Sequence, residues 1–486
     1  MEAIQNFLLP IVAEINTNLS NYILLFLLVG VGLFFTVRTG FVQIRCFGEG
    51  MKRVFGGIFS NKNKDKKGGL SSFQALATAI AAQVGTGNIV GACGAILIGG
   101  PGAIFWMWVI AFFGMATIYA EAVLAQKTKV VDADGNVQGG PVYYIREAFK
   151  GKFGKFLAGF FAVAIILALG CMGAMVQSNA ISSAVSTATN STVPVWAVGL
   201  VLAAICAIIF IGGIKRIASV AEKVVPVMAV GYIAVSIIIL AINFTKIPAT
   251  FGMIFRYAFD TSAIIGGGAG AIFTAMTQGA KRGLFSNEAG MGSTPHAHAQ
   301  AEVETPHDQG VVAMIGVFID TFVVLTMTAL VVISTLYVGD SPLMSGGIIT
   351  DATAGLVGID KNNLMQTAIG QAFGSPMVGN IIVAVCLTFF AFTTIISWNF
   401  FGKQNVQYLL GKKATVVYSV IAIAFIFLGS CLKNDLVWEL TDMFNNLMVL
   451  PNAIALFALS GIVVASVKAA KARKKNKGTE ELDKAE

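Results

Sequence analysis

Gln83-Val84-Gly85-Thr86-Gly87-Asn88 stands in the middle of an apolar run that extends from about residue 70 to 98. The run is long enough to cross a bilayer, which takes about 20 mostly apolar residues in a helix. Two glycines and three polar side chains at its centre would break such a helix at membrane depth. Non-helical backbone survives there only when it is buried in protein or lines a wet cavity. A break also exposes the amide start of one half-helix and the carbonyl end of the other. The first attracts an anion, the second a cation.

The rest of the chain supports a membrane setting. Of 486 residues, 56% are hydrophobic and 12% charged, and mean hydropathy is +0.78. Soluble domains carry about 25% charged residues. The 53 glycines suit close helix approach and broken helices in lipid. Cys46, Cys93, Cys171, Cys206, Cys386 and Cys431 form no CxxC pair and read as reduced packing residues. Residues 1–18 lack a basic start and a cleavage site, so no removable signal peptide is expected.

Apolar segments near 20–38, 70–98, 101–127, 153–187, 193–213, 222–244, 263–291, 308–338, 376–402, 414–432 and 440–467 predict eleven transmembrane helices in an all-α polytopic protein. No alternating-polarity strands of a membrane barrel occur. With the first span running inward, 27 of the 33 Lys and Arg residues fall on the inner side and four outside. Lys281 and Arg282 lie within a span. The positive-inside rule therefore puts the N-terminus outside and the C-terminus in the cytoplasm. The net charge of +8 reflects these loops and the tail, with no nucleic-acid surface implied. The expected organisation is an extra helix with a basic loop (1–67), a core (68–467) and a basic, disordered tail (468–486) that could touch anionic lipid.

A second interrupted span lies at 263–291. It opens with Gly266-Gly267-Gly268-Ala269-Gly270 and closes on Gly283-Leu284-Phe285-Ser286-Asn287-Glu288-Ala289-Gly290-Met291-Gly292. Glycines alone could merely let helices pack closely. Their order points further: leaving aside the first span, the interrupted helices are the first and sixth of ten. They head two five-helix halves, about 70–244 and 263–467, that enter the membrane from opposite sides. That is the inverted-repeat pattern of ion-coupled carriers.

Other polar groups at membrane depth are few. Thr388, Thr393, Thr394, Ser397, Trp398 and Asn399 cluster in 376–402. The threonines either back-bond to the preceding turn or offer oxygens to a hard cation. Gln177 either contacts solute or bonds across helices. Asp320, Glu121 and Glu288 are intramembrane carboxylates, and Asp320 either steers a cation or proton or is paired locally. His296, His298 and His307 fall in an inner loop, where no carboxylate or cysteine is expected to complete a metal site with His-x-His. No GxxxxGK[ST] motif, dinucleotide fingerprint or nucleophile elbow occurs, so neither an ATP-driven pump nor an enzyme is expected.

Gly85-Thr86-Gly87-Asn88-Ile89, the run from Gly99-Gly100-Pro101-Gly102 to Trp108, Gly139-Gly140-Pro141 and the motif at 283–292 resemble the alanine or glycine:cation symporter family over residues 20–465. The resemblance implies a leucine-transporter-type fold, a 5+5 inverted repeat with one extra N-terminal helix. It implies sodium-driven uptake of alanine or glycine, or of glutamine in some members, across a bacterial or archaeal inner membrane, with sodium as coupling ion and no other cofactor. Substrate would meet Thr86, Gly87 and Asn88, with Gln177, Phe273, Thr277 and Trp398 shaping the pocket. Sodium would sit between the carbonyls of Ala81 and Val84 and the hydroxyls of Thr393 and Thr394. The expected partners are a small amino acid, sodium and the bilayer, with no obligate protein partner evident.

Overall fold

The structure is a computed structural model that describes residues 2–58, 69–132, 134–259, 270–339, 358–432 and 435–482. Among these described residues it is all-α apart from a two-stranded antiparallel ribbon, β1 (Val130–Val131) with β2 (Val137–Gln138). The helices are α1 (Glu2–Asn18), α2 (Leu25–Arg38), α3 (Val42–Arg45), α4 (Phe47–Ile58), α5 (Ser72–Gln83), α6 (Ala92–Gly99), α7 (Gly102–Thr128), α8 (Pro141–Ala148), α9 (Gly151–Ile165), α10 (Ala174–Ala188) and α11 (Val195–Ile211). They continue with α12 (Gly213–Ile242), α13 (Ile247–Phe259), α14 (Gly270–Asn287), α15 (Pro295–Ala299), α16 (Pro306–Val317) and α17 (Thr326–Leu336). The last five are α18 (Leu364–Ala372), α19 (Pro376–Leu410), α20 (Ala414–Cys431), α21 (Asp435–Ala458) and α22 (Ser460–Leu482).

Among the described residues six helical stretches are long and apolar enough to cross a membrane, or eight with the two bent pairs α5/α6 and α21/α22. Two shorter apolar helices, α2 and α11, stand at the other expected positions, and α14 occupies the seventh. The outer surface carries large apolar side chains with no protein cover. Ile211 is 85% exposed, Val416 68% and Val230 67%, as suits a face turned to lipid.

Local chemistry sets the ends of the helices that matter. Ser71 caps α5 in a reciprocal box with Gln74, and Thr305 does the same for α16 with Asp308. Pro376 opens α19 at a position where its missing N–H costs nothing, and Gly411 at φ 83° ends it. Among the described residues wide π-helical turns stand at Leu19–Leu24, Gly87–Gly91, Ile166–Gly173 and Phe318–Leu325. Such turns loosen the hydrogen-bond ladder and cluster at functional positions.

Helix α5 and the half-helix from Gly87 to Gly99 meet at 48° around Val84–Thr86. The second break is described between Asn287 and Pro295, where Glu288, Gly290 and Gly292 take positive φ. The glycine run 266–270 lies, except for Gly270, outside the described residues. The extra helix α2 packs on α7. The tail departs from its expected disorder: α22 continues to Leu482, because Arg473 pairs with Glu304 and Asp308, and Lys474 Nζ lies 2.6 Å from Glu49 Oε2.

Candidate substrate and cation site

The two breaks face each other. A Cβ on Gly87 would stand 3.0 Å from Ser286 Cα, and one on Gly85 would stand 2.5 Å from Thr394 Oγ1. Only glycine permits both approaches. Asn88 Oδ1 accepts from the Gly85 amide at 3.0 Å, and its Nδ2 donates to Asp320 Oδ1 at 2.6 Å. Asp320 also accepts from Ser286 Oγ at 2.9 Å and Thr321 Oγ1 at 2.8 Å. Gln83 Nε2 donates to the Asn287 carbonyl at 2.7 Å. Asp320 thus ties the first break, the end of α14 and the π turn after α16 together, through neutral donors.

At this junction Thr86 Oγ1 and Gln177 Nε2, like Gln83 Oε1, are buried polar atoms with no protein partner. Gln177 Oε1 accepts from the Thr86 amide at 3.2 Å, which places its free amide nitrogen beside the break. Phe285 meets Trp398 edge-on at 6.0 Å between centroids, closing the other side. The arrangement offers donors from the first break and, at the end of α14, the carbonyl pole of a helix. Such a site suits a zwitterion.

Thr394 supplies a separate oxygen cluster. Its Oγ1 lies 3.0 Å from the Ala81 carbonyl, 3.5 Å from that of Val84 and 3.0 Å from that of Phe390. Four neutral hard oxygens converge there, a donor set that fits an alkali cation and not a soft metal. Thr393 does not join them. Neighbouring helix residues point about 100° apart, and Thr393 Oγ1 donates to Phe389 and Phe390 carbonyls beside Met228 Sδ.

Two expected pocket residues lie elsewhere. Phe273 packs on the cluster of Leu25, Ile110 and Ala280 beside the extra helix. Thr277 donates back to the Thr274 carbonyl. Both sit about three to four turns before the end of α14, and the described break follows Asn287. The aromatic beside the junction is Phe285, and Ser286 and Asn287 join it. The motif at 283–292 carried that signal.

The sequence profile of the sodium:alanine symporter family matches residues 5–484. The chain belongs to the sodium:alanine symporter family. Its relatives include the sodium/alanine symporter AgcS of Methanococcus maripaludis, 42% identical with 93% of this chain and 95% of that one covered. The probable sodium/glutamine symporter GlnT of Bacillus subtilis is 39% identical, with 96% and 91% covered. The crystal structure of MhsT in complex with L-phenylalanine covers 83% of this chain and all of that one at a TM-score of 0.55. At 14% identity it shows the fold alone, the leucine-transporter type.

This member of the sodium:alanine symporter family has cavities on both sides of its junction. One of about 260 Å³ is lined by Val90, Asn179, Ser183, Asp360 and Gln366. The other, about 300 Å³, is lined by Leu70, Val137, Lys215 and Gln300. Near the first, Asp442 is buried against Lys281 Nζ at 2.9 Å and Arg282 at 3.3 Å, while Lys361 and Arg282 lie over the Trp438 ring. The histidines are not in an open loop. His296 is buried between Ser293 and Asn405, and His298 meets Gln309. Cys46 and Glu49 do approach His307 in space, but Lys474 and Tyr119 also hold that cluster.

Proposed function

We propose that the protein moves alanine or glycine into the cell together with sodium by alternating access. The observation that carries this reading is the adjacency of two sites of different chemistry at the junction of the broken spans. The substrate carboxylate takes the unpartnered Thr86 hydroxyl, the Gln177 amide nitrogen and the amide start at Gly87. Its ammonium faces the carbonyl end of α14. Sodium sits among Thr394 Oγ1 and the Ala81 and Val84 carbonyls, so that it bridges α19 to the first broken span. Phe285 and Ser286 crowd the space beside Gly87, with Trp398 packed edge-on against Phe285, which favours a side chain of one carbon or none.

In this reading the N-terminus is outside and the C-terminus cytoplasmic. Each sodium crossing with the membrane potential adds about 2.3 kcal/mol per 100 mV of driving force. Glutamine is the second reading, favoured by the likeness to GlnT. Uptake of radiolabelled alanine, glycine and glutamine in proteoliposomes with an inward sodium gradient, against a potassium control, tests it. Accumulation of alanine or glycine that requires sodium supports the proposal. Glutamine accumulation in its place moves the substrate, and no sodium-dependent accumulation by folded protein removes the assignment.

A further inference from the structure

Glu288 is a carboxylate that the transport reading leaves unused, and its position is unusual. It is the first residue after α14 and takes φ 58°, a conformation that residues with a Cβ rarely adopt. Its backbone amide closes the helix on Leu284 at 2.9 Å. Its side chain is fully buried. Oε1 accepts from Trp398 Nε1 at 2.6 Å, and Oε2 accepts from Ser293 Oγ. Both carboxylate oxygens are thus spent on neutral donors at the break, one of them 110 residues away on α19.

In the transport reading Trp398 also walls the pocket. Its six-membered ring lies 2.5 Å from where a Cβ on Gly173 would stand, and its indole meets Phe285 edge-on. It follows Thr394 by one helical turn, so the two share a face of α19. A ring hinged only at Cβ could swing about χ1 and χ2 and widen the pocket. A hydrogen bond from its single N–H to the Glu288 carboxyl removes that freedom. The turn that carries Glu288 is itself held two residues on, since the Gly290 carbonyl accepts from Asn452 at 2.9 Å and the Gly290 amide donates to Glu121 at 3.2 Å. The anchor of the tryptophan is therefore part of the second break and moves with it.

We propose that Glu288 is a positioning residue that locks the Trp398 ring and thereby sets the upper size limit of the transported amino acid. This deepens the transport reading and rests on it. The lock has two consequences that separate it from a packing role. Gln at 288 keeps an acceptor for the indole N–H and preserves the limit, whereas Ala frees the ring. Removing the donor from the other side, by Trp398→Phe, has the same effect on selectivity, and adding Glu288→Ala to it changes selectivity no further.

The test has two readouts. In proteoliposomes, inhibition of uptake by leucine and phenylalanine is measured relative to alanine, or to glutamine if that is what the wild type carries. Glu288→Ala is expected to raise the relative potency of the larger amino acids at least tenfold, with Glu288→Gln within about twofold of wild type. Equal loss for small and large competitors in Glu288→Ala overturns the proposal. If that variant does not fold, an unchanged ratio in Trp398→Phe overturns it. The second readout needs no transport: a 5-fluorotryptophan resonance assigned to Trp398 is expected to be single in wild type and in Glu288→Gln, and split or broadened in Glu288→Ala. An unchanged resonance refutes the lock even if the transport reading stands. Absence of any uptake by wild type with a broadened resonance refutes the transport reading and the selectivity role while leaving the contact.

Discussion

Ser286 Cα lies 3.0 Å from where a Cβ on Gly87 would stand, so the two broken spans touch backbone to backbone. Gly87→Ala puts a methyl group against Ser286 Cα and N and the Phe285 ring, none of which is the tip of a flexible chain. Overpacking of this kind costs about 1–3 kcal/mol. The variant is expected to fold, with a lowered melting temperature in detergent, and to lose at least tenfold in uptake rate. Wild-type uptake would mean that the two breaks are not held together during transport.

Asp320 gathers Asn88, Ser286 and Thr321 without a basic partner among its hydrogen bonds. Asp320→Asn keeps the shape and removes the charge. A carboxylate in a low-dielectric site raises the affinity of a nearby cation, so the sodium concentration for half-maximal uptake is expected to rise about tenfold, equivalent to about 1.4 kcal/mol. An unchanged sodium dependence would assign Asp320 to architecture alone.

Asp442 is buried against Lys281 and Arg282. Asp442→Ala leaves two cations without their shared anion, a loss worth about 3–5 kcal/mol where the charges stay buried. The expected result is a large fall in melting temperature, partly recovered when Lys281→Met is added. Equal melting curves would show that water reaches the cluster.

The first break, the inverted order of spans and the family were legible because a straight membrane helix has little use for glycines set beside polar side chains at its centre. The pocket residues on the second broken span were less so. Gly266–Gly270 is the stronger glycine signal, yet the described break follows Asn287, and it turns on Glu288 at φ 58°, where side-chain hydrogen bonds rather than absence of a Cβ hold the backbone. Phe273 and Thr277 come from the family resemblance alone, whereas Phe285 and Ser286 stand beside Gly87. Thr393 and Thr394 are chemically identical in sequence, and only the rotation of α19 distinguishes them. The helical tail was hidden for another reason: its partners Glu49, Glu304 and Asp308 lie far away in the chain.

The tail contact carries a pH signature. Burial pushes the Glu49 carboxyl up, but the hydrogen bond from Lys474, the charges of His307 and Lys474 and the bond from Arg53 outweigh it and bring it down to about 2. A depressed folded value means that the stabilisation is complete above the ordinary value of 4.5 and is lost as pH falls toward 2. Melting temperature measured between pH 6 and 3 (roughly the accessible range in detergent) is expected to fall less steeply in Glu49→Gln than in wild type. Parallel curves would contradict the docked tail.

In the proposed cation site one hydroxyl on α19 and the carbonyl end of α5 hold the coupling ion. The measurement that tests it most directly is the sodium activation curve of alanine uptake in Thr394→Ala beside Thr393→Ala. The account predicts that Thr394→Ala raises the half-maximal sodium concentration at least tenfold or abolishes uptake, while Thr393→Ala stays close to wild type. Equal effects, or a larger one at Thr393, would contradict it.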